Sequence, residues 1–396
     1  LTAGRPVSKP GGSPFQAQAM GHTFDIAIIG GGIAGFSLAY HLASHRKVII
    51  LEQEDAFGYH STARSAAEFA FRFHTPLVGK LAALSFPFLK SPPQGFSAVP
   101  LLHERGMILV ASEEKQARLD QVFAAESANT DRLRLLGKDE VLSAVPFLNP
   151  EFFACAFFDP DCWDINADAL FQGFRKSVSA SGAAARSKAG VISAKREGTV
   201  WQIETQAGWL EAAIVVNASG AWADQTAEMF GAAPLGHTPL NRTMITVDMP
   251  GGIDWRTMPE VQEIDEDFYM KPDAGRLLLS PADENESQPC DAQPEELGVA
   301  WAMHWLNEAT TITATRPASA WAGLRTFAPD RAPVAGFDPA VNGFFWLTGQ
   351  GGFGIQTSPA LGELAASLIL GRGLPDRFKH HDICAAILSP ERFSTV

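Results

Sequence analysis

Three glycines, Gly30, Gly32 and Gly35, stand in the spacing GxGxxG, and an acid, Glu52, follows twenty residues after Gly32. Glycines at this spacing allow a tight turn, a close approach of backbone to a pyrophosphate, and close packing of a helix on a strand. The helix N-terminus then offers N–H groups to the phosphates, and the acid can accept from ribose hydroxyls. The chemistry implied is dinucleotide binding, set against a plain tight turn between strand and helix. The flanks favour the first reading. FDIAIIG before the glycines and VIILE at 48–52 are short apolar runs of the kind buried on both faces of a parallel sheet. Between them Ile33, Phe36, Leu38, Ala39 and Leu42 give a helix one apolar face.

Beyond Glu52 the chain runs into GYHSTARSAAEF instead of another regular strand–helix unit, which favours FAD over a nicotinamide. Arg64 and the hydroxyls of Ser61, Thr62 and Ser65 suit a pyrophosphate or a flavin, the alternative being an ordinary polar loop. The run AAIVVNASG ends in small residues, Ala218 and Gly220, and so permits a second close approach. Near the other end Gly349, Gly351, Gly352 and Gly354 form a loop, and Thr357 or Ser358 before Pro359 predicts a helix cap with proline in the first turn. A helix start aimed at a flavin pyrimidine would stabilise negative charge there.

The elements that must position these residues are those of a large globular chain. It has 396 residues, 46% hydrophobic and 19% charged, with a net charge of −13 that disfavours nucleic acid as a partner. Cys155, Cys162, Cys290 and Cys384 form no CxxC pair and fit a reducing cytoplasm, as buried apolar residues. No apolar run is long enough and free enough of polar residues to span a membrane. Residues 1–19 read as a flexible leader ahead of Met20. Helices are expected at 76–89, 112–126 and 131–144, a three-stranded meander at 191–220, and mostly strands at 237–316, with the acidic stretch ADENESQPCDAQPEE outside the core. His41 and His45 stand four apart on the first helix, but without a third ligand they read as an exposed polar face, and no metal site is expected.

The stretches GYHSTARSAA, VVNASGAW, FYMKPDAG, WAGLRTFAPDRAPVAG and GQGGFGIQTSPALGE occur in that order. Taken together, the sequence resembles the FAD-dependent D-amino acid oxidase family, and within it the D-arginine dehydrogenase branch. The resemblance implies an α/β fold: a discontinuous Rossmann-like FAD-binding domain (20–90, 155–235 and 321–396) plus an α+β substrate domain with a mixed sheet (91–154 and 236–320). It implies one non-covalent FAD, contacted by Gly30, Gly32, Ile33, Ala34, Gly35, Glu52, Gln53, His60, Ser61, Thr62, Arg64, Ser65 and Ala66. Further contacts are implied at Gly190, Ala218, Gly220, Trp222, Gly323, Arg325, Gly351, Gly352, Phe353, Gly354, Ile355 and Gln356.

The implied activity is oxidation of the CH–NH bond of a D-amino acid or related amine by hydride transfer, giving an imino acid that hydrolyses to a 2-oxo acid and ammonia. Arg325, lying between apolar flanks, would grip the substrate carboxylate with its guanidinium fork. Tyr269, one of three tyrosines beside 27 phenylalanines, would hydrogen-bond the same carboxylate. Arg242 would lie near it, and the carbonyl of Gly352 would hold the amine. Each arginine reads alternatively as a structural ion pair. No general base stands out.

The substrate pocket departs from the branch. Its acidic clamp has no counterpart beside Met107, where the chain reads PLLHERGM. Phe73 replaces a lid tyrosine, Glu68 a histidine, and Glu260 and Gln262 two apolar residues. Glu68, Glu104 or Glu260 would be substitute acids, while Arg72 would favour an acidic substrate. Two other readings stay open: a hydroxy-acid or glycerophosphate oxidoreductase, and a flavin subunit relaying electrons inside a hetero-oligomer. The substrate is a small molecule in the leading reading, and the electron acceptor is left open.

Overall fold

The apolar runs around the glycine motif become the centre of a parallel sheet, in a computed structural model that describes residues 23–393. The expected leader lies outside the described residues. Thr23–Ile29 pairs in parallel with Val48–Leu51 on one side and with Gly208–Asn217 on the other. Eight strands make up this sheet, and Ala184–Arg186, Phe344–Thr348 and Val334–Phe337 extend it. Val191–Glu197, Val200–Thr205 and Gly208–Asn217 form the expected antiparallel meander. It turns at Gly198 and Gly208, whose φ of 61° and 110° favours glycine.

Alternate residues of the central strands serve opposite cores. Ile26 and Ile28 face Phe36, Leu38, Leu81, Leu170 and Leu364, which come from the helices Ile33–Leu42, Pro76–Lys90, Ala167–Ala180 and Gly354–Ile369. Ala27 and Ile29 face Trp201, Phe230 and Trp346 on the other side. The helices Ile33–Leu42 and Gly354–Ile369 come closest at Gly362, where a Cβ would lie 2.8 Å from the backbone of Ser37.

A second, ten-stranded sheet is mixed. Glu260–Glu263 runs parallel to Met107–Ala111, and the other pairs are antiparallel. One face, with Ile108, Val110, Ile245, Val247, Val261 and Met270, packs against Ala302 and Leu306 of the helix Glu296–Ala309. Strand register puts the opposite set on the other face: Arg325, Arg242, Tyr269, Lys271, Gln262 and Glu260. A three-stranded sheet of Glu68–Ala70, Cys162–Ile165 and Leu102–Glu104 adjoins it.

Several local expectations need correction. Residues 131–144 hold a strand, Arg134–Leu136, and only a short helix, Lys138–Ala144, because the chain breaks at Gly137, whose N–H donates to Glu140. The region 237–316 contains the fourteen-residue helix Glu296–Ala309. Cys155–Asp159 and Ser319–Phe327 belong to the second sheet, although 155–159 and 321–327 were expected in the cofactor-binding domain. The acidic stretch is lashed to the body: Asp283 accepts from the backbone N and Oγ1 of Thr243, Asp291 pairs with Arg64, and Ala292 is buried. Only Cys162 is fully buried among the cysteines, whereas Cys290 and Cys384 are exposed.

Candidate active site

The glycine motif closes onto backbone rather than open space. A Cβ on Gly30 would clash with the carbonyl of Ala218, and one on Gly35 with the carbonyl of Gly30. These contacts bring the first strand, its helix and the strand ending at Asn217 together at one edge of a cleft. Glu52 Oε2 accepts from the backbone N of Gly31 at 2.9 Å and Oε1 from Glu54 N at 3.0 Å, so the carboxylate is held at the cleft wall. Thr62 Oγ1 accepts from the backbone N of Ile33 at 3.0 Å, at the helix start.

The cleft gathers Gly30, Gly32, Ile33, Ala34, Glu52, Gln53, His60, Ser61, Thr62 and Ser65 from the first third of the chain. Gly190, Ala218, Gly220 and Trp222 line it from the meander side, and Arg325, Gly351, Gly352, Gly354 and Ile355 from the C-terminal part. Glycine backbone, a fixed acid and a helix start converge here from separate parts of the chain, a donor set that fits a dinucleotide.

Six expected cofactor residues sit otherwise. Gly35 packs beneath the turn. Arg64 is consumed structurally: its guanidinium donates to Asp291, to the Ala292 carbonyl at 2.7 Å and to the Ala322 carbonyl at 3.2 Å, so it is not free for a phosphate. Ala66 lies outside the cleft lining. Gly323 makes room for Arg64 and Arg325, whose atoms a Cβ would meet at 3.0 Å. Gln356 is buried, and its Oε1 accepts from Ala70 N at 3.2 Å. Phe353 lines a second cavity. Sequence reasoning missed Ser219, Gln225 and Thr326 in the cleft wall, which carry no motif.

The C-terminal helix starts earlier than expected, at Gly354, so Pro359 lies inside it. Proline cannot donate to the carbonyl four residues back. That carbonyl, of Ile355, accepts instead from Ser358 Oγ at 3.0 Å, which explains why the helix continues. Phe353 is the capping position, and no side chain bonds there, so the first turn leaves its N–H groups toward the glycine loop.

Arg325 is the charged residue of the cleft with the least provision. It is 7% exposed; Nη2 donates to the carbonyl of Arg64 at 3.1 Å, while Nη1 is buried without a partner. Burial pulls its guanidinium down to about 10, with Tyr269 and Asp283 opposing and Arg242 adding to the fall. A buried cation with an unsatisfied donor suits an anion. Arg242, by contrast, is engaged: Nε donates to the Asp283 carbonyl at 2.9 Å and Nη2 to Glu284 at 3.1 Å.

A second cavity of about 480 Å³ is lined by Phe73, His74, Gln262, Glu266, Phe327, Arg331 and Phe353, among others. Phe73 and Gln262 both line it. Glu260 does not: it is fully buried, with Glu68 beside it. Glu104 lies exposed on an outer strand. Arg72 is not free for an acidic substrate, since Nε and Nη2 clasp Asp159 at 2.8 and 2.7 Å and Nη2 reaches Asp161 at 2.6 Å. His41 is not part of an exposed polar face: it is half-buried with its Nε2 enclosed, and burial and nearby Arg377 push its imidazole down to about 4, whereas His45 is exposed.

The chain belongs to the FAD-dependent oxidoreductase family: the family model named DAO, FAD dependent oxidoreductase, matches residues 25–368. It is therefore an FAD-dependent enzyme with FAD as cofactor, and the cleft is where the residues fit that group. The chain is 26% identical over 360 residues to a glycine oxidase of Geobacillus kaustophilus, covering 88% of this chain and 94% of that one. It is also 26% identical over 412 residues to the FAD-dependent oxidoreductase domain-containing protein 1 of Bos taurus, covering 87% and 81%. A crystal structure of glycine oxidase from Geobacillus kaustophilus superposes with a TM-score of 0.78 at 24% identity, covering 89% and 96%, and shows the same fold. These relatives place the chain in the wider family and not in the D-arginine dehydrogenase branch specifically. No helix among the described residues is long and apolar enough to cross a membrane.

Proposed function

We propose that the protein oxidises the carbon–nitrogen single bond of an amino acid or related amine, with D-amino acids the expected class. The observation that carries this reading is the free Nη1 of buried Arg325, which meets the need of a substrate carboxylate beside the cofactor cleft. Tyr269 shares the sheet face of Arg325 and would add a hydroxyl to the same carboxylate. The Gly352 carbonyl, in the cleft wall, would hold the amine. FAD, when bound, supplies the two-electron acceptor for the hydride leaving Cα. Curated relatives named glycine oxidase and dimethylglycine dehydrogenase act on amines by their names, which supports the class of bond.

A glycerophosphate or hydroxy-acid substrate fits less well. Arg242 is already held by Asp283 and Glu284, which leaves Arg325 as the cation with a free donor, and one guanidinium suits a carboxylate better than a phosphate dianion. An electron-relay subunit has no use for a buried carboxylate anchor.

Anaerobic bleaching of the bound flavin tests the reading against D- and L-amino acids, glycine, N-alkyl glycines and 2-hydroxy acids. Bleaching by an amine-bearing carboxylate is the expected result. Bleaching by hydroxy acids alone would overturn it.

A further inference from the structure

The second sheet and the three-stranded sheet beside it carry a group of charges that neither the cofactor cleft nor the carboxylate anchor uses. Glu260 is fully buried, and neither of its carboxyl oxygens meets an N–H or O–H donor among the described residues. It stands two residues before Gln262, a wall of the second cavity, on the face that also carries Tyr269. A carboxylate oxygen of Glu68, one of Glu260 and the Sγ of Cys162 all lie within 4.8 Å of one another. Glu68 is the partly open member. Its strand follows the cleft residue Ser65, and Gln356 holds Ala70 at its far end. Its charge is felt at His74 and Glu266, both of which line the second cavity.

Counting the neighbours decides what fills the gap between the two acids. Lys271 Nζ donates to Asp164 Oδ1 at 2.8 Å, and Arg105 clasps the other oxygen of Asp164, with Nε at 2.8 Å. Two cations thus face three acids: Asp164, Glu68 and Glu260. Nearby Asp159 and Asp161 are already matched by Arg72 and Arg132, and Glu266 and Glu284 are matched by Arg242 and Arg331. Burial pushes the thiol of Cys162 up, so it stays neutral, and burial pushes the imidazole of His74 down, so it adds no positive charge at neutral pH. One proton balances the group. A divalent cation would leave it positive and would sit beside the Lys271 ammonium.

We propose that Glu68 and Glu260 share a single proton, and that Glu68, the open member, receives the proton that the substrate's ammonium group must lose before oxidation. This rests on the amine-oxidising reading above. In the step the N–H bond of the ammonium breaks and an O–H bond forms on Glu68. The freed nitrogen lone pair forms the C=N bond as the hydride leaves Cα for the flavin, so the substrate loses two electrons and the flavin gains them. Burial and the neighbouring Glu68 push the Glu260 carboxyl well up, so Glu260 holds the first proton against Glu68.

Two measurements test it. Infrared difference spectra of the resting holoenzyme, wild type against Glu260→Gln, are expected to show loss of the carbonyl stretch of a protonated carboxylic acid at neutral pH. In steady-state kinetics Glu68→Gln is expected to lower kcat/KM at neutral pH by at least tenfold and to recover toward wild type as rising pH deprotonates the amine in solution. Glu260→Gln, which can still donate to Glu68, is expected to keep more activity than Glu68→Gln and to retain its flavin spectrum. No protonated-acid band in the wild type, or a stoichiometric divalent metal in the purified protein, would overturn the shared proton. An unchanged kcat/KM for Glu68→Gln, or a loss that high pH does not reverse, would overturn the transfer. The infrared result stands independently of turnover, so a failure of every amine to bleach the flavin would sink the proposed function and leave the shared proton to be decided by the spectra.

Discussion

Arg325 concentrates the energetics of substrate binding because it is buried and under-bonded before substrate arrives. Replacing it with alanine leaves the substrate carboxylate without its charged partner and is expected to cost on the order of 3–5 kcal/mol in apparent binding. The flavin spectrum of Arg325→Ala should be unchanged, and esters or amides of the best substrate should be poor substrates for the wild type. Near-normal kcat/KM for the variant would remove Arg325 from this role. Glu52 works on the other side of the cleft. Its carboxylate is fixed by two backbone N–H donors and would lose a charged acceptor for ribose hydroxyls in Glu52→Ala, a weakening of FAD retention of about 1.5–3 kcal/mol. Flavin content after dialysis measures it.

Among the elements, the pair of helices Ile33–Leu42 and Gly354–Ile369 carries both the first phosphate-binding turn and the glycine loop of the cleft. Their separation is set at Gly362, where Ser37 leaves no room for a methyl group. Gly362→Ala should therefore force the helices apart, with a loss of roughly 1–3 kcal/mol in stability and a higher dissociation constant for FAD. Chemical denaturation and flavin titration would show whether the two effects arrive together. His41 sits on the first of these helices with its imidazole held down to about 4. The folded state resists the proton that the unfolded chain takes up near 6.5. Stability is thus unaffected above pH 6.5 and falls progressively as pH drops from 6.5 toward 4, by about 3 kcal/mol. Glutamine at position 41 should flatten that slope in denaturant midpoints taken across the same window.

On the scale of the whole molecule the cleft is assembled from residues that lie from Ile29 to Ile355 in sequence, so the cofactor holds distant parts of the chain to one another. Binding to the folded state alone stabilises it by about 2.7 kcal/mol at a hundredfold excess over the dissociation constant. Purified protein should release its flavin into the supernatant on acid precipitation, and the apoprotein should melt below the holoprotein and recover with added FAD. Flavin retained in the acid pellet would contradict non-covalent binding.

The first strand–turn–helix–strand unit was legible from residues because every signal in it is local: isoleucine runs, glycine spacing and an acid at the end of a strand. The meander was legible for the same reason, since its turns lie where glycine takes up positive φ. The helix Gly354–Ile369 was only half legible: a proline reads as a start, and only the bond from Ser358 to the Ile355 carbonyl shows how the helix runs through it. What single positions do in the site depended on partners far away in sequence. Arg64 carries the composition of a phosphate ligand, yet Asp291 and two carbonyls from the second half of the chain claim it. Arg72 is likewise spent on Asp159 and Asp161, while Arg325 keeps a free donor at Nη1. Glu260 becomes a dry, unpaired acid only because strand register turns it inward beside Glu68 and Lys271. Local patterning determines which elements form, since it acts through neighbours in the chain, but the charge and reach of a side chain are set by long-range pairing, which only the tertiary structure decides.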